Sequence, residues 1–111
     1  MKFLLATLIL LNVMTQPSSA QEIDLGIKAY KMGDYARAMR ILLPLAKIDT
    51  DYTQLRMSEN SPATNPLAQY YLGLMYCNGE GVARNRDIGI GWLNKAIRGG
   101  NSLAENTYCR D

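Results

Sequence analysis

The sequence contains no histidine, and this absence removes several classes of catalytic and metal site. Histidine is the most frequent general base at neutral pH, the middle member of Ser-His-Asp and Cys-His nucleophilic sites, and a ligand in the commonest zinc geometries. Paired carboxylates remain, but Asp49 and Asp51 lie in a polar stretch where nothing would desolvate or position them. We therefore predict that the protein is not an enzyme and holds no metal and no cofactor.

A phosphate-binding loop is also lacking. The run Gly79-Glu80-Gly81-Val82 has neither the third glycine of a dinucleotide fingerprint nor a Gly-Lys-Ser/Thr sequence. It also joins two predicted helices, whereas such loops join a strand to a helix. We interpret this run as a turn.

The chain has no marked excess of charge of either sign. Its 12 Lys and Arg residues against 10 Asp and Glu residues give a net charge of +2, and the two signs are interspersed. A protein that binds a phosphate backbone would cluster its basic residues along one face. Neither nucleic acid nor an anionic membrane surface is therefore predicted as a partner.

Residues 1–20 have the pattern of a secretory signal peptide. Lys2 precedes an apolar stretch over residues 3–14, and small residues lead up to Ala20. The apolar stretch is about 12 residues long, whereas crossing a bilayer takes about 20, which argues against a membrane anchor. No cysteine stands at the cleavage point to carry a lipid. We predict cleavage after Ala20 and an exported chain, periplasmic or secreted, without stable membrane insertion.

Residues 66–100 show the apolar spacing of two successive helices. The first helix places on one side Ala68, Leu72, Met75, Tyr76 and Gly79, with Tyr71 at the margin. Asn78-Gly79 favours a left-handed end to this helix. Asn85 can cap the second helix, whose predicted face consists of Ile88, Trp92, Ala96 and Gly99, with Leu93 beside it. Gly99 and Gly100 are predicted to end it.

This stretch resembles the Sel1-like repeat, a relative of the tetratricopeptide repeat, over about a dozen positions at the correct mutual spacing. The positions that carry the resemblance are Ala68, Tyr70, Leu72, Gly73, Met75, Tyr76, Gly79, Gly81, Val82, Trp92, Lys95, Ala96 and Gly99. Two residues depart from the family pattern, since Asn85 replaces its usual Asp and Gly89 its usual Ala. Asn85 preserves a cap, but Gly89 and nearby Gly91 each weaken a helix by roughly 1 kcal/mol relative to Ala.

The apolar spacing of residues 21–48 predicts a first helical hairpin, with its turn at Gly33-Asp34. Its apolar faces comprise Ile23, Gly26, Ile27 and Tyr30, then Tyr35, Ala38, Leu42 and Leu45 or Ala46. Residues 29–46 resemble the tetratricopeptide-like opening repeat of many Sel1-like proteins. Pro44 lacks an amide hydrogen and is expected to kink or end the second helix there.

Residues 49–65 form a polar insertion without a clear helical period. One interpretation is a solvated loop, since closing a longer loop costs little. The other is an arm that contacts a partner through Tyr52, Leu55 and Met57.

Residues 101–111 repeat the start of the central unit. The sequence Asn65-Pro66-Leu67-Ala68 returns as Asn101-Ser102-Leu103-Ala104, a period of 36 residues. We interpret this segment as a half repeat that caps the C-terminal end. The predicted fold is thus all-α, a short α-solenoid of about two and a half antiparallel helical hairpins.

The chain has two cysteines, Cys77 and Cys109. Two cysteines in a small exported chain usually pair, and these two fall on helices predicted to pack side by side. An intramolecular bond would stabilise the fold by about 3 to 4 kcal/mol by the chain-entropy argument. An intermolecular bridge and two buried thiols remain as alternatives.

The resemblance implies that the protein binds another protein. The family places its ligand groove on the inner surface lined by the first helix of each repeat. The candidate contacts implied in this way are Tyr70, Leu74, Asn78, Lys28 and Lys31. The residues also permit a structural interpretation, in which Tyr70, Leu74 and Cys77 pack against a flanking hairpin.

The predicted function is an exported interaction scaffold, either an adaptor or an immunity-type binder of another envelope or secreted protein. The alternative is an envelope-structural protein that acts as a disulfide-linked dimer. An enzyme acting on the cell wall or on lipid is disfavoured by the missing histidine and by the lack of a positioned carboxylate pair.

Processing of the leader can be tested directly. We expect the protein recovered after export to begin at Gln21, as N-terminal sequencing would show. Ala20→Leu should block cleavage, because the residue before the cut must be small. A recovered chain that still begins at Met1 would contradict the predicted signal peptide.

Overall fold

A computed structural model describes residues 18–47 and 65–110, which form five helices within these ranges. The helices are α1 (Ser19–Lys31), α2 (Tyr35–Ala46), α3 (Pro66–Asn78), α4 (Arg86–Arg98) and α5 (Ser102–Glu105). The described residues contain no strand, and the predicted all-α fold is confirmed. None of these helices is long and apolar enough to cross a membrane. Most of the predicted signal peptide (1–20) and insertion (49–65) lies outside the described residues.

The first hairpin begins and turns at capped helix ends. Ser18 and Gln21 form a capping box at the start of α1, in which each side chain bonds to the other residue's backbone. The Asp34 side chain accepts from the Arg37 amide, 3.3 Å away, and starts α2. Local polar side chains therefore decide where both helices begin.

Helix α2 continues past its proline. It ends at Ala46, two residues beyond Pro44, so the expected end of the helix at Pro44 is wrong. The amide missing from Pro44 would have bonded to the Arg40 carbonyl, one turn earlier. Both residues lie on the exposed side of α2, where the unpaired carbonyl is open to solvent, while Leu45 and Ala46 remain buried.

The second hairpin is delimited in the same way. Asn65 caps α3 by accepting from the Ala68 amide at 3.3 Å, and Asn85 caps α4 by accepting from the Ile88 amide at 3.1 Å. Gly79 ends α3 in the left-handed region, with a φ of 69°. A β-carbon is strained in that conformation, so glycine permits the sharp turn.

Helices α3 and α4 cross very closely at two glycines. A β-carbon on Gly73 would lie 2.6 Å from Leu93 Cδ2, and one on Gly89 would lie 2.6 Å from Cys77 Sγ. The face of α4 that meets α3 consists of Gly89, Leu93 and Ala96. Of the predicted face, Ala96 is buried and Trp92 packs against the main core, but Ile88 is wrong because it is 42% exposed and Gly89 is buried in its place.

The described residues bury two apolar clusters. The main cluster joins the two hairpins through Ile23, Ala29, Ala38, Leu42, Leu45, Ala46, Ala68, Leu72 and Met75. Buried Gln69 adds a polar link, since its side-chain amide donates to the Ala46 carbonyl at 3.2 Å. The second cluster contains Cys77, Leu93, Ala96, Ala104 and Cys109 and lies at the C-terminal end of the described fold.

The C-terminal segment is less helical than predicted. Helix α5 has only four residues, and Cys109 lies in the non-helical segment that follows, so placing both cysteines on helices is wrong. The Thr107 hydroxyl donates to the Leu103 carbonyl at 2.7 Å and takes the acceptor that a continuing helix would use. The segment after α5 then runs back to α3, where Cys109 meets Cys77.

A disulfide joins Cys77 of α3 to Cys109, with 4.9 Å between their α-carbons. The Arg84 guanidinium strengthens this closure, because it donates to the Cys77 carbonyl at 3.1 Å and also to the Arg110 carbonyl. Gly89 leaves the space that the two sulfurs occupy, since its β-carbon would lie 3.1 Å from Cys109 Sγ. The glycine that departs from the family pattern thus accommodates the disulfide.

Gly89→Ala should lower the free energy of unfolding by about 1 to 2 kcal/mol, because overpacking at the disulfide exceeds the gain in helix propensity. Gly91→Ala is the matched control on the same helix. Nothing lies within 4 Å of a β-carbon there, so alanine should raise the stability by up to about 1 kcal/mol. Urea denaturation under oxidising conditions measures both. Equal stabilisation by the two variants would contradict the close crossing.

Candidate functional site

Four tyrosines from three helices meet at the junction of the two hairpins. This tyrosine cluster consists of Tyr30 of α1, Tyr35 of α2, and Tyr70 and Tyr71 of α3. The Tyr30 ring centroid lies 5.5 Å from that of Tyr35 and 5.0 Å from that of Tyr71, and Tyr70 and Tyr71 are 5.3 Å apart. All three pairs are edge-to-face, an arrangement worth about 0.5 to 1.5 kcal/mol per pair beyond buried area.

Glu80 connects the cluster to the turn between α3 and α4. Its Oε1 accepts from the Tyr30 hydroxyl at 2.7 Å and from the Asn78 side-chain amide at 3.0 Å. Its backbone amide donates to the Met75 carbonyl at 2.9 Å, so the turn holds the carboxylate in place.

The pKa values of Tyr30, Tyr35 and Tyr71 are raised, so these three hydroxyls remain protonated donors at neutral pH. Burial raises the pKa of Tyr30 well above its ordinary range, and the hydrogen bond to Glu80 raises it further. For Tyr35, the hydrogen bond to Glu80 is the largest cause of a raised pKa, followed by the negative charge of that carboxylate. Burial also raises the pKa of Tyr71. These groups can donate hydrogen bonds and offer aromatic faces to a ligand.

The structure brings two of the five predicted contact residues to this cluster. Tyr70 packs edge-to-face on Tyr71, and exposed Asn78 bonds to Glu80. Tyr70 is half-buried and also packs against the second apolar cluster, as the structural interpretation required. Leu74 of α3 is half-buried. Whether any of these side chains contacts a partner remains a prediction.

Lys28 and Lys31 lie on α1 with exposed side chains. Lys28 lines a shallow groove between α1 and α2, together with Leu25, Met32 and Arg37. Leu25 and Met32 are 46% and 73% exposed, so this groove presents apolar side chains at the surface. Lys28 thus belongs to a different surface from Tyr70 and Asn78.

Sequence reasoning missed Glu80, Tyr30 and Tyr35 as site residues. It treated Glu80 as part of a turn and the two tyrosines as packing positions. One signal was available in the composition, which has seven tyrosines but only one phenylalanine and one tryptophan. Such a preference for hydroxyl-bearing aromatic side chains is expected where an aromatic surface must also donate hydrogen bonds.

The described residues contain no group of three or more His, Cys, Asp or Glu side chains arranged to hold a metal ion. The site therefore consists of aromatic rings, hydroxyl and amide donors, and one carboxylate. Such a set recognises a ligand by hydrogen bonds, charge and aromatic contact.

Comparison with known families identifies the second hairpin. Residues 66–101 match the model of the Sel1 repeat, which covers about one third of the chain and includes α3, the Glu80 turn and α4. The resemblance seen in the sequence is confirmed over this range. A search of curated proteins and a search of solved structures each found no match.

Tyr30→Phe should lower the free energy of unfolding at neutral pH by about 1 kcal/mol, because it leaves a Glu80 lone pair unpaired. Since the folded-state pKa is raised, this stabilisation is complete below pH 10 and is lost as the pH rises towards the folded-state pKa. The difference between wild type and variant should shrink in that range. Urea denaturation from pH 7 to 11 measures it.

Tyr108→Phe provides the matched control, because Tyr108 is 82% exposed. It should change the stability at no pH in this range. A Tyr30→Phe variant as stable as wild type at pH 7 would contradict the Tyr30 to Glu80 bond.

Proposed function

We propose that this chain, which carries a Sel1 repeat over residues 66–101, is an exported scaffold that binds another envelope or secreted protein. Sel1 repeats are generally protein-protein interaction modules, and this is the observation that supports the proposal most. An adaptor or an immunity-type inhibitor fits such a scaffold, since both act by holding a second protein.

The proposed contact surface is the tyrosine cluster with Asn78 and the neighbouring Leu74. Tyrosine offers a large, rigid contact area together with a hydroxyl, and it is enriched among residues that dominate interface energies. Helix packing and the Glu80 bonds already hold this surface in place. A partner would therefore meet little entropic cost of ordering it.

The proposed export rests on the leader pattern of residues 1–20, and the disulfide supports it. Disulfides persist in oxidising compartments such as the periplasm and the extracellular space, and they are rare in the cytosol. The Cys77 to Cys109 bond closes the C-terminal end of the fold, so an oxidising compartment would also favour stability. Periplasmic or secreted protein is the proposed form.

The disulfide-linked dimer receives less support. The chain has only two cysteines, and the structure joins them to each other. No thiol is then left to bridge two copies, so we do not propose that role.

The scaffold proposal can be tested by affinity capture. The full chain, with its own leader and a C-terminal tag, would be expressed in its source cells and recovered from the envelope and medium under non-reducing conditions. Mass spectrometry should identify one stoichiometric partner protein. Recovery of the tagged chain alone from both fractions would contradict the proposal.

The surface assignment can be tested with a matched pair of double variants. Tyr70→Ala with Leu74→Ala should reduce capture of the partner at least tenfold, because interface tyrosines often contribute more than 1.4 kcal/mol. Leu103→Ala with Tyr108→Ala removes the same two residue types from positions that are 55% and 82% exposed. This control should retain capture.

Circular dichroism must show that both double variants keep their helices. Equal capture by folded variants would contradict the surface assignment. Unfolding of the Tyr70 and Leu74 variant alone would show that these side chains belong to the core, which would also overturn it.

A further inference from the structure

We infer that Gln21, as the first residue of the exported chain, is converted to pyroglutamate, a neutral lactam in which the α-amine is closed onto the side chain. This inference rests on the proposed export, because cleavage after Ala20 is what creates this terminus. It goes beyond the scaffold function, since it assigns a covalent modification to a described residue.

In the uncleaved chain, both reactive groups of Gln21 are bonded to Ser18. The Gln21 amide donates to Ser18 Oγ at 3.4 Å, and Gln21 Oε1 accepts from the Ser18 amide at 3.1 Å. The second bond folds the Gln21 side chain back towards the N-terminal end of α1, on the side of its own backbone nitrogen. Removal of Ser18 with the leader therefore frees both groups together.

Cleavage also makes the ring closure chemically possible. It turns the backbone nitrogen of Gln21 from a peptide amide into an amine, which is a nucleophile. The amine attacks the side-chain carbonyl carbon Cδ; a bond from the nitrogen to Cδ forms, the bond from Cδ to Nε2 breaks, and one amine proton leaves with Nε2 as ammonia. No oxidant, reductant or co-reactant is needed. The attack takes place within one residue, so proximity favours it.

The packing of α1 keeps the new terminus at the surface. Gln21 is exposed, while Ile23, two residues further on, is only 7% exposed and belongs to the main apolar cluster. Gly26 holds the same helix close to α2, because a β-carbon there would lie 2.6 Å from Leu42 Cδ2. The Gln21 side chain can therefore close on its own amine while the helix behind it stays in place.

Ring closure removes a positive charge from the start of α1. Loss of Ser18 takes away the cap of this helix, and an α-ammonium left there would be repelled by the positive end of the helix dipole. The neutral lactam avoids this repulsion. It also withholds the free terminal amine that aminopeptidases must bind, which suits a chain that has to persist after export.

Mass spectrometry of the exported protein tests the inference. The full chain, with its leader and a C-terminal tag, would be expressed in its source cells, recovered from the envelope and medium, and digested with trypsin. In most molecules the N-terminal peptide, residues 21–28, should be lighter by one ammonia. Pyroglutamyl aminopeptidase should convert it to a peptide that begins at Glu22. An isotope-labelled synthetic peptide 21–28, added at cell lysis, should stay uncyclised, which excludes ring closure during handling.

Gln21→Asn is the matched control. Asparagine keeps the side-chain amide but is shorter by one methylene, so the corresponding ring would be smaller and strained. The terminus of this variant should react with an amine-specific label, whereas the wild-type terminus should not.

Several results would overturn the inference. If the exported wild-type chain begins with uncyclised Gln21, or if the synthetic peptide cyclises to the same extent, the modification fails and the proposed export stands. Cleavage at a different residue has the same consequence. A recovered chain that still begins at Met1 contradicts the proposed leader and the inference together. These measurements use wild-type protein, so they decide the question even if Gln21→Asn is not exported.

Discussion

The close crossing of α3 and α4 is the constraint on which the rest of the structure depends. Gly73 and Gly89 bring the two helices together, because a β-carbon at either position would overlap the opposite helix or the disulfide. This crossing places Leu93 and Ala96 in the second apolar cluster and leaves room for Cys109 beside Cys77. The helix-propensity cost of Gly89, roughly 1 kcal/mol, is thereby offset by a covalent closure of larger stabilising effect. Gly89, which helix propensity alone would count as destabilising, thus lies at one of the closest contacts between the two helices.

The candidate site depends on the same hairpin. Because α3 and α4 are held together at both glycines, the turn between them has a defined path, and Gly79 in the left-handed region directs Glu80 back towards α1. Tyr30 then connects the first hairpin to the Sel1 repeat through one hydrogen bond to Glu80 and one ring contact with Tyr71. The contact surface consequently spans two units, as expected of a short repeat array in which each unit is stabilised by its neighbour.

The functional interpretation rests on two observations: the family match and the chemical character of the tyrosine cluster around Glu80. The match covers residues 66–101 and establishes a repeat of a class that generally binds proteins. The surface adds a half-buried carboxylate among tyrosines whose raised pKa values keep them as neutral donors. Together they favour recognition of a partner by shape, hydrogen bonds and charge. The exposed groove beside Leu25 and Met32 is a separate feature of the first hairpin.

The sequence by itself determined the helical class, the repeat, where the hairpin helices begin and where α3 ends, because these depend on near neighbours in the chain. Asn65, Asn85 and Asn101 each cap a helix by bonding three residues ahead, and Gly79 ends one by its own backbone freedom. Only the tertiary structure decided which face of α4 is buried, where Cys109 lies and what Glu80 contacts. Tyr30 and Glu80 are 50 residues apart in sequence. Such contacts depend on helix rotation and side-chain reach, which periodicity constrains only to within a neighbouring position.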